Sequence, residues 1–469
     1  MSVPPKPTTL GELRAAGYAV REVRDEMRAN LLERMRTGTR IFEGVMGFDD
    51  TVVPAVENAL LCGHDLIFLG ERGQAKTRMI RQLTGLLDEW VPAVAGSEIH
   101  DDPTAPVSAR GRALVAERGD ATPIAWIHRD ERYVEKLATP DVSIADLIGD
   151  VDPVKVAQGR SLADEETMHF GLVPRAHRGI FCINELPDLT EKVQVGLFNI
   201  MEERDVQVKG YRIRLPIDVL VVASANPEDY TSRGRIITPL KDRYAAQVRT
   251  HYPHTPELEL AIVRQEAEIP SAPGVVVYVP PFMEDIIAEL TFQARCSPDV
   301  NQASGVSVRM SIANYETLAA NALRRALRVG EAVAVPRISD LDALETSTLG
   351  KLELEYAGGD RSEGEVVREL RRRACKLIFD RHVGPDALSL VARAFDDGWK
   401  VEVSQRMPSR EYLAGLEQIA PLREAAARLA GSEEPAAIAS AIEFLLEGLH
   451  LSNRLNKTER EHGACYARS

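Results

Sequence analysis

The sequence predicts an α/β fold: a parallel sheet flanked by helices, followed by an all-helical lid and a helical C-terminal extension. Three observations carry this. Short apolar runs at 65–69, 180–183 and 219–223 alternate with helical stretches, the pattern of buried parallel strands covered on both faces. The first run passes through a glycine-rich turn straight into a helix. After Pro256 only helical periodicity remains, apart from 274–279.

In chain order, residues 10–38 read as one helix, with Val23, Met27, Leu31, Leu32 and Met35 at helical spacing. Residues 52–61 form a second amphipathic helix. The strand at 65–69 is closed by Gly70, and a helix is expected over 76–90. Residues 91–132, rich in Pro, Gly, Asp and Arg, read as an insertion made of loops. A strand at 133–137, a short helix at 144–148 and a helix at 191–203 follow. Residues 206–214 alternate around Gly210 as a β-hairpin. Beyond 256, residues 313–327, 366–379, 385–395 and two segments within 411–450 are helical. Residues 358–364 are a glycine-rich linker, and 453–469 read as polar and frayed.

The chain has 469 residues and a net charge of −14, with 44% hydrophobic and 27% charged residues, which excludes a largely disordered protein. The acidic balance speaks against a nucleic-acid partner. No apolar run reaches the roughly 18 residues of a membrane helix, and the Pro-rich N-terminus lacks the basic start and apolar stretch of a signal peptide. A cytoplasmic protein without a membrane partner is expected. Cys62, Cys182, Cys296, Cys375 and Cys465 are far apart and form no CxxC pair, so neither a zinc ribbon nor a disulfide framework is supported. His100, His128, His169 and His177 lack metal-ligand spacing and read as surface or loop residues.

The turn after the first strand is Gly70-Glu71-Arg72-Gly73-Gln74-Ala75-Lys76-Thr77. In such a loop the backbone N–H groups and the helix N-terminus face the β-phosphate of ATP. Lys76 bridges β- and γ-phosphate oxygens, and Thr77 gives its hydroxyl to Mg²⁺. The usual pattern has Gly where this chain has Ala75. The second apolar strand ends in Asn184-Glu185, where phosphate-loop ATPases commonly carry Asp-Glu. Asn184 keeps an acceptor oxygen for Mg²⁺ but not the charge; Glu185 keeps the carboxylate that polarises an attacking water. The third strand ends in Asn226, which can orient that water or, with Pro227, only form a turn. Arg243 in Leu240-Lys241-Asp242-Arg243-Tyr244 can serve as an arginine finger or as a surface ion-pair residue. Arg309 opens the strongest helix of the second half, a position that opposes the helix dipole unless a phosphate is near.

Together these motifs resemble the AAA+ ATPases, and within them the MoxR and magnesium-chelatase I-subunit branch. The strings Asp146-Leu147-Ile148-Gly149-Asp150-Val151-Asp152 and Gly171-Leu172-Val173-Pro174-Arg175-Ala176-His177-Arg178-Gly179-Ile180 are similar to the chelatase segment before its acidic strand. Ser224-Ala225-Asn226-Pro227-Glu228 and residues 240–244 resemble the same family's sensor 1 and arginine-finger segments. The resemblance covers about residues 42–330. It implies a helix-2 insert at about 150–173, a hairpin before sensor 1 at about 206–216, and Arg309 as sensor 2. It divides the chain into an N-terminal helical segment (1–39), an AAA+ nucleotide-binding domain (40–255, with the insertion 91–132), a lid (256–350) and an extension (351–469). It also implies a homo-oligomeric ring, usually a hexamer, and a remodelled partner protein, typically one with a von Willebrand A domain. Asn184, the insertion and the extension depart from the pattern, and the Gly-Ala-Phe-Thr-Gly-Ala loop of σ54 activators is absent. The expected function is Mg²⁺-dependent ATP hydrolysis that drives chaperone-like remodelling. The rivals are an ATP-binding scaffold with little turnover and a magnesium-chelatase ATPase subunit in tetrapyrrole synthesis.

Overall fold

The computed structural model describes residues 4–152, 167–207, 214–226, 234–355, 362–384, 391–393, 395, 398–415, 419–461 and 463–468. They form two compact units, Met1–His251 and Tyr252–Ser469.

The first unit is built on a five-stranded parallel sheet. Its strands are β1 (Leu66–Leu69), β2 (Tyr133–Leu137), β3 (Gly179–Asn184), β4 (Val219–Ala225) and β5 (Ala246–Arg249), in the order β5-β1-β4-β3-β2. β1, β3 and β4 are buried along their whole length, because helices cover both faces. Ile67, Phe181, Ile183, Val221 and Ala223 pack into one core. Leu66, Phe68, Ile180, Cys182 and Val222 point to the other face and meet Met79 and Ile80 of the helix after the glycine-rich turn. Burial pushes the Cys182 thiol up to about 12, as befits a small core residue. β5 escapes sequence reading: Ala-Gln-Val-Arg buries only Val248.

Several elements differ from the expected ones. The helix expected over 10–38 is two, Leu10–Ala15 and Val23–Thr37, parted where Gly17 takes a φ of +76°. The helix expected over 76–90 ends at Gln82 and tightens into a 3₁₀ turn, Leu83–Leu86. Arg34 and Asn30 donate to the Gly85 and Leu86 carbonyls at 2.7 and 2.9 Å, satisfying the acceptors that the helix end leaves open. Trp90 instead starts a strand. The stretch 91–132 is not all loop: Trp90–Val94 pairs antiparallel with Ile124–His128, with a helix Ala109–Arg118 between them.

That insertion is tied to the body through buried charge. Arg178 donates to the Pro92 carbonyl at 2.6 Å and pairs with Asp102 at 3.1 Å. Arg132 grips both Glu26 oxygens at 2.7 Å and the Arg178 carbonyl at 2.7 Å. His128 and His177 are buried rather than surface residues. His177 accepts from the Asp218 N–H at 2.9 Å, and desolvation lowers its pKa to about 3.

The helix-2 insert expected at about 150–173 is bracketed by an antiparallel pair, Gly149–Val151 with Met168–Phe170; residues 153–166 lie outside the described residues. The expected hairpin has its base in Asp205–Gln207 paired with Arg214–Pro216, and its tip, 208–213, is likewise outside.

The second unit is mainly helical, with helices Pro256–Glu266, Pro281–Cys296, Val308–Val329, Glu363–His382, Ala420–Ala430 and Pro435–Leu451. One hydrophobic core runs from Val263 to Tyr466 and holds a stacked Phe282–Phe444 pair, ring centroids 4.6 Å apart. The extension is not wholly helical. Lys400–Ser404, Gly463–Ala467 and Asn456–Arg460 form a three-stranded antiparallel sheet, so the tail read as frayed is folded. Its polar residues hide a packed face: Tyr466 is buried and donates to Glu447 at 2.5 Å, while Lys457 pairs with Glu447 at 2.8 Å. Residues 358–361 of the expected linker and 385–390 of the expected helix 385–395 lie outside the described residues. Among the described residues no helix is long and apolar enough to cross a membrane.

Candidate functional site

The C-terminal ends of β1, β4 and β3 lie side by side and gather most of the expected site residues. The Gly70 N–H donates to the Ala225 carbonyl at 3.2 Å, which sets the start of the loop beside Asn226. Gly70 passes so close to the residue after β5 that a Cβ would sit 2.0 Å from Thr250 Oγ1 and 2.2 Å from Gln74 Oε1. Only glycine fits there. Thr250 donates to Gln74 Oε1 at 2.6 Å, and Gln74 donates to Glu71, so β5 shapes the loop.

Gly73 and Ala75 both take left-handed backbone, with φ of +78° and +55°. Glycine accepts this freely; Ala75 does so at a cost of about 1 kcal/mol. Lys76 begins the helix Lys76–Gln82, is 8% exposed, and donates from Nζ to the Gly70 and Glu71 carbonyls at 2.5 and 2.8 Å. The ammonium is therefore held over the loop. Thr77 is half-buried in the first helical turn, and Arg72 is exposed.

Asn184 ends β3 on the same sheet face as Cys182. Its amide Nδ2 donates to Glu135 on β2. A carboxylate only accepts, so this contact fixes the amide orientation and leaves Oδ1 to accept from Ser224 Oγ at 3.2 Å. Glu135 also accepts from Arg81 at 2.9 and 3.0 Å and from Tyr133 Oη at 3.0 Å. The Arg81 guanidinium holds the Glu135 carboxyl below its ordinary value. Glu185 sits in left-handed backbone at φ +56°, its N–H donating to Ser224 Oγ at 3.2 Å. Asn226 is 3% exposed, and its Oδ1 has no partner among the described residues.

Within the first unit, Arg243 is engaged away from this cluster. Arg243 closes the short helix Thr238–Arg243, pairs with Glu202, donates to the Pro239 carbonyl at 2.8 Å and stacks 4.3 Å over Phe198. Arg309 belongs to the second unit, in the first turn of Val308–Val329, where its N–H donates to Ser307 Oγ at 3.2 Å.

The loop supplies a close-fitting cradle and a buried ammonium. Thr77, Asn184, Glu135 and Glu185 supply oxygen donors of the hard kind that Mg²⁺ prefers. Among the described residues no cluster of three or more His, Cys, Asp or Glu forms a metal cage, so a cation here depends on phosphate and water ligands as well. The residues fit ATP with Mg²⁺. Glu135, Arg81, Ser224 and Thr250 escaped assignment from the sequence. Glu135 was visible as a carboxylate in a short strand, but its register opposite Cys182 was not.

Comparisons with known proteins agree with this arrangement. Residues 159–241 match the family described as the Sigma-54 interaction domain. The magnesium-chelatase subunit ChlI of Anabaena variabilis is 28% identical over 231 residues, covering 48% of this chain and 62% of that protein. The magnesium-chelatase 38 kDa subunit of Rhodobacter capsulatus is 24% identical over 237 residues, covering 48% of this chain and 59% of that protein.

The first unit is similar to the AAA+ domains of magnesium-chelatase I subunits.

The chain spans less than two thirds of the length of these relatives. Among solved structures, NtrX from Brucella abortus in complex with ATP is 16% identical, with a TM-score of 0.41, covering 74% of this chain and 66% of that one. The σ54-type match covers β3, β4 and the start of the helix Thr238–Arg243, the part of the first unit that bears Asn184, Glu185 and Asn226.

Proposed function

We propose that this chain binds ATP with Mg²⁺ at the Gly70–Thr77 loop and hydrolyses it to drive remodelling of a partner protein. One observation carries the reading: the buried Lys76 and its glycine-cradled loop share one sheet edge with Glu185 and Asn226. Lys76 binds the phosphates, and Gly70, Glu71, Arg72, Gly73, Gln74 and Ala75 enclose them. Thr77 and Asn184 face the cation. Glu185 polarises the attacking water and Asn226 orients it. The chelatase relatives support a homo-oligomeric ring, which we take to be a hexamer. In it Arg243 leaves Glu202 for the neighbouring subunit's γ-phosphate, and Arg309 acts as sensor 2. The partner we expect carries a von Willebrand A domain, as MoxR-type chaperone systems do, and the setting is cytoplasmic.

Steady-state ATP hydrolysis with and without Mg²⁺, for wild type beside Glu185→Gln, tests this. Turnover that needs Mg²⁺ and falls at least a hundredfold in the variant is the expected result; turnover unchanged in Glu185→Gln defeats it.

Asn184 favours a second reading, a nucleotide-dependent scaffold. An amide opposite a carboxylate that Arg81 already holds leaves the cation less charge than Asp would. Tight ATP binding without turnover, with the presumed partner supplied, selects that reading. The third reading, a magnesium-chelatase subunit, rests on the relatives' names and predicts chelatase activity when this chain replaces such a subunit in a reconstituted assay.

A further inference from the structure

We infer that a cleft at the C-terminal end of the helix Val308–Val329 binds a small polyphosphate anion. The cleft encloses about 450 Å³, and its wall includes Arg324, Arg325, Arg328 and Arg406. Asp340, the one lining carboxylate among the described residues, is already engaged. Asp340 accepts from Arg325 at 2.7 Å, from Asn321 at 2.7 Å and from the Arg337 N–H at 2.8 Å.

Three guanidinium charges remain uncompensated. Arg324 contacts only the neutral Asn321 carbonyl oxygen. The Arg328 and Arg406 side chains have no hydrogen bond or ion pair among the described residues. Arg325 is 4% exposed; Asp340 holds its Nη2, its Nε and Nη1 lack a hydrogen-bond partner among the described residues, and Nη1 lies 3.9 Å from a Glu331 carboxylate oxygen. A buried charged donor without an acceptor is destabilising.

Ordinary helix electrostatics explains only part of this. The dipole favours cations in the last turn, which suits Arg328. Arg324 and Arg328, one turn apart, repel each other. Arg406 comes from a different segment, just after the strand Lys400–Ser404. A bound anion would relieve all three costs in a chain whose net charge is −14.

The lining selects the class of anion. Among the described residues no aromatic side chain lines the cleft to stack on a base or sugar ring. Recognition must come from charge and from paired N–H groups, which match phosphate oxygens two at a time. About three positive charges suit a pyrophosphate or tripolyphosphate group. Arg309 lies fifteen residues upstream on the same helix, about 22 Å away at 1.5 Å per residue, so this is not the end assigned to sensor 2.

The test is calorimetric titration of the full chain with sodium tripolyphosphate, in a Lys76→Ala background that removes competition from the phosphate loop. One saturable site is expected, weakened at least tenfold by Arg328→Ser with Arg406→Ser. A partial loss is expected with Lys at both positions, which keeps the charge but not the fork. Arg36→Ser, an exposed arginine of the first unit, should leave binding unchanged. The proposal fails if no saturable site appears, if the Ser and Lys double variants both bind as before, or if Arg36→Ser weakens binding equally. Displacement by a polyglutamate peptide as tight as tripolyphosphate would overturn the phosphate assignment in favour of an acidic protein segment.

Discussion

Asn184 donates its side-chain amide to Glu135, one strand away, at the sheet edge where the first unit gathers its candidate site residues. The carboxylate missing from the end of β3 has a neighbour on β2, two register positions back and on the same face. Arg81, from the helix that follows the phosphate loop, holds that neighbour by two hydrogen bonds. The site thus has a negative group next to the cation position, already partly neutralised by an arginine that is mostly exposed.

Replacing Asn184 by Asp should set two carboxylates together where one amide now donates. The lost hydrogen bond and the repulsion together cost about 1–3 kcal/mol in the absence of divalent cation. Mg²⁺ should restore most of that loss. Urea denaturation with and without MgCl₂ reads both effects; a variant as stable as wild type in EDTA contradicts the contact.

Ala75 is a non-glycine residue held at φ +55° in the loop. Ala75→Gly should stabilise the first unit by only about 0.5 kcal/mol, since the strain it removes is partly offset by the added freedom of the unfolded chain. Thermal unfolding measures this, and a lower melting temperature would show the strain to be absent.

Glu26 and Arg132 form a fully buried, two-pronged pair that pins the first long helix to the end of the insertion. Glu26→Ala leaves the guanidinium without its partner in the interior and should cost about 3–5 kcal/mol. Replacing both residues by Leu and Met should cost much less. Equal losses in the two variants would mean that the pair contributes beyond mutual compensation.

His177 is buried in its neutral form, its pKa depressed to about 3. The unfolded chain binds a proton near pH 6.5 that the folded chain refuses, so this group's contribution is intact above pH 6.5 and shrinks as pH falls towards 3. Desolvation raises the pKa of Asp218, which its backbone N–H joins to His177, to about 6, with the opposite sign. Comparing wild type with His177→Gln isolates the histidine. The stability advantage of wild type should fall steadily below pH 6.5; a difference independent of pH would mean that His177 is solvated.

Most of the nucleotide-binding architecture was legible in local pattern. β1, β3 and β4 are apolar runs because both their faces are buried, and the loop from Gly70 to Thr77 is contiguous in sequence. β5 was missed because a half-covered edge strand needs only Val248 to be apolar. The C-terminal strands were missed for a related reason: Gly-Ala-Cys-Tyr-Ala has small side chains, and its burial is completed by Glu447 from a distant helix.

The sequence by itself determined the parallel α/β class, the order of motifs and the glycine-rich turn from Gly70 to Thr77 between a strand and a helix, because each depends on residues within a few positions of one another. Only the tertiary structure decided that Glu135 stands beside Asn184, that Thr250 shapes the turn at Gly70, and that Arg406 joins Arg324 and Arg328 around one cleft. Those relationships depend on strand register and on the packing of segments far apart in the chain. Local periodicity carries no record of which distant residue lies opposite.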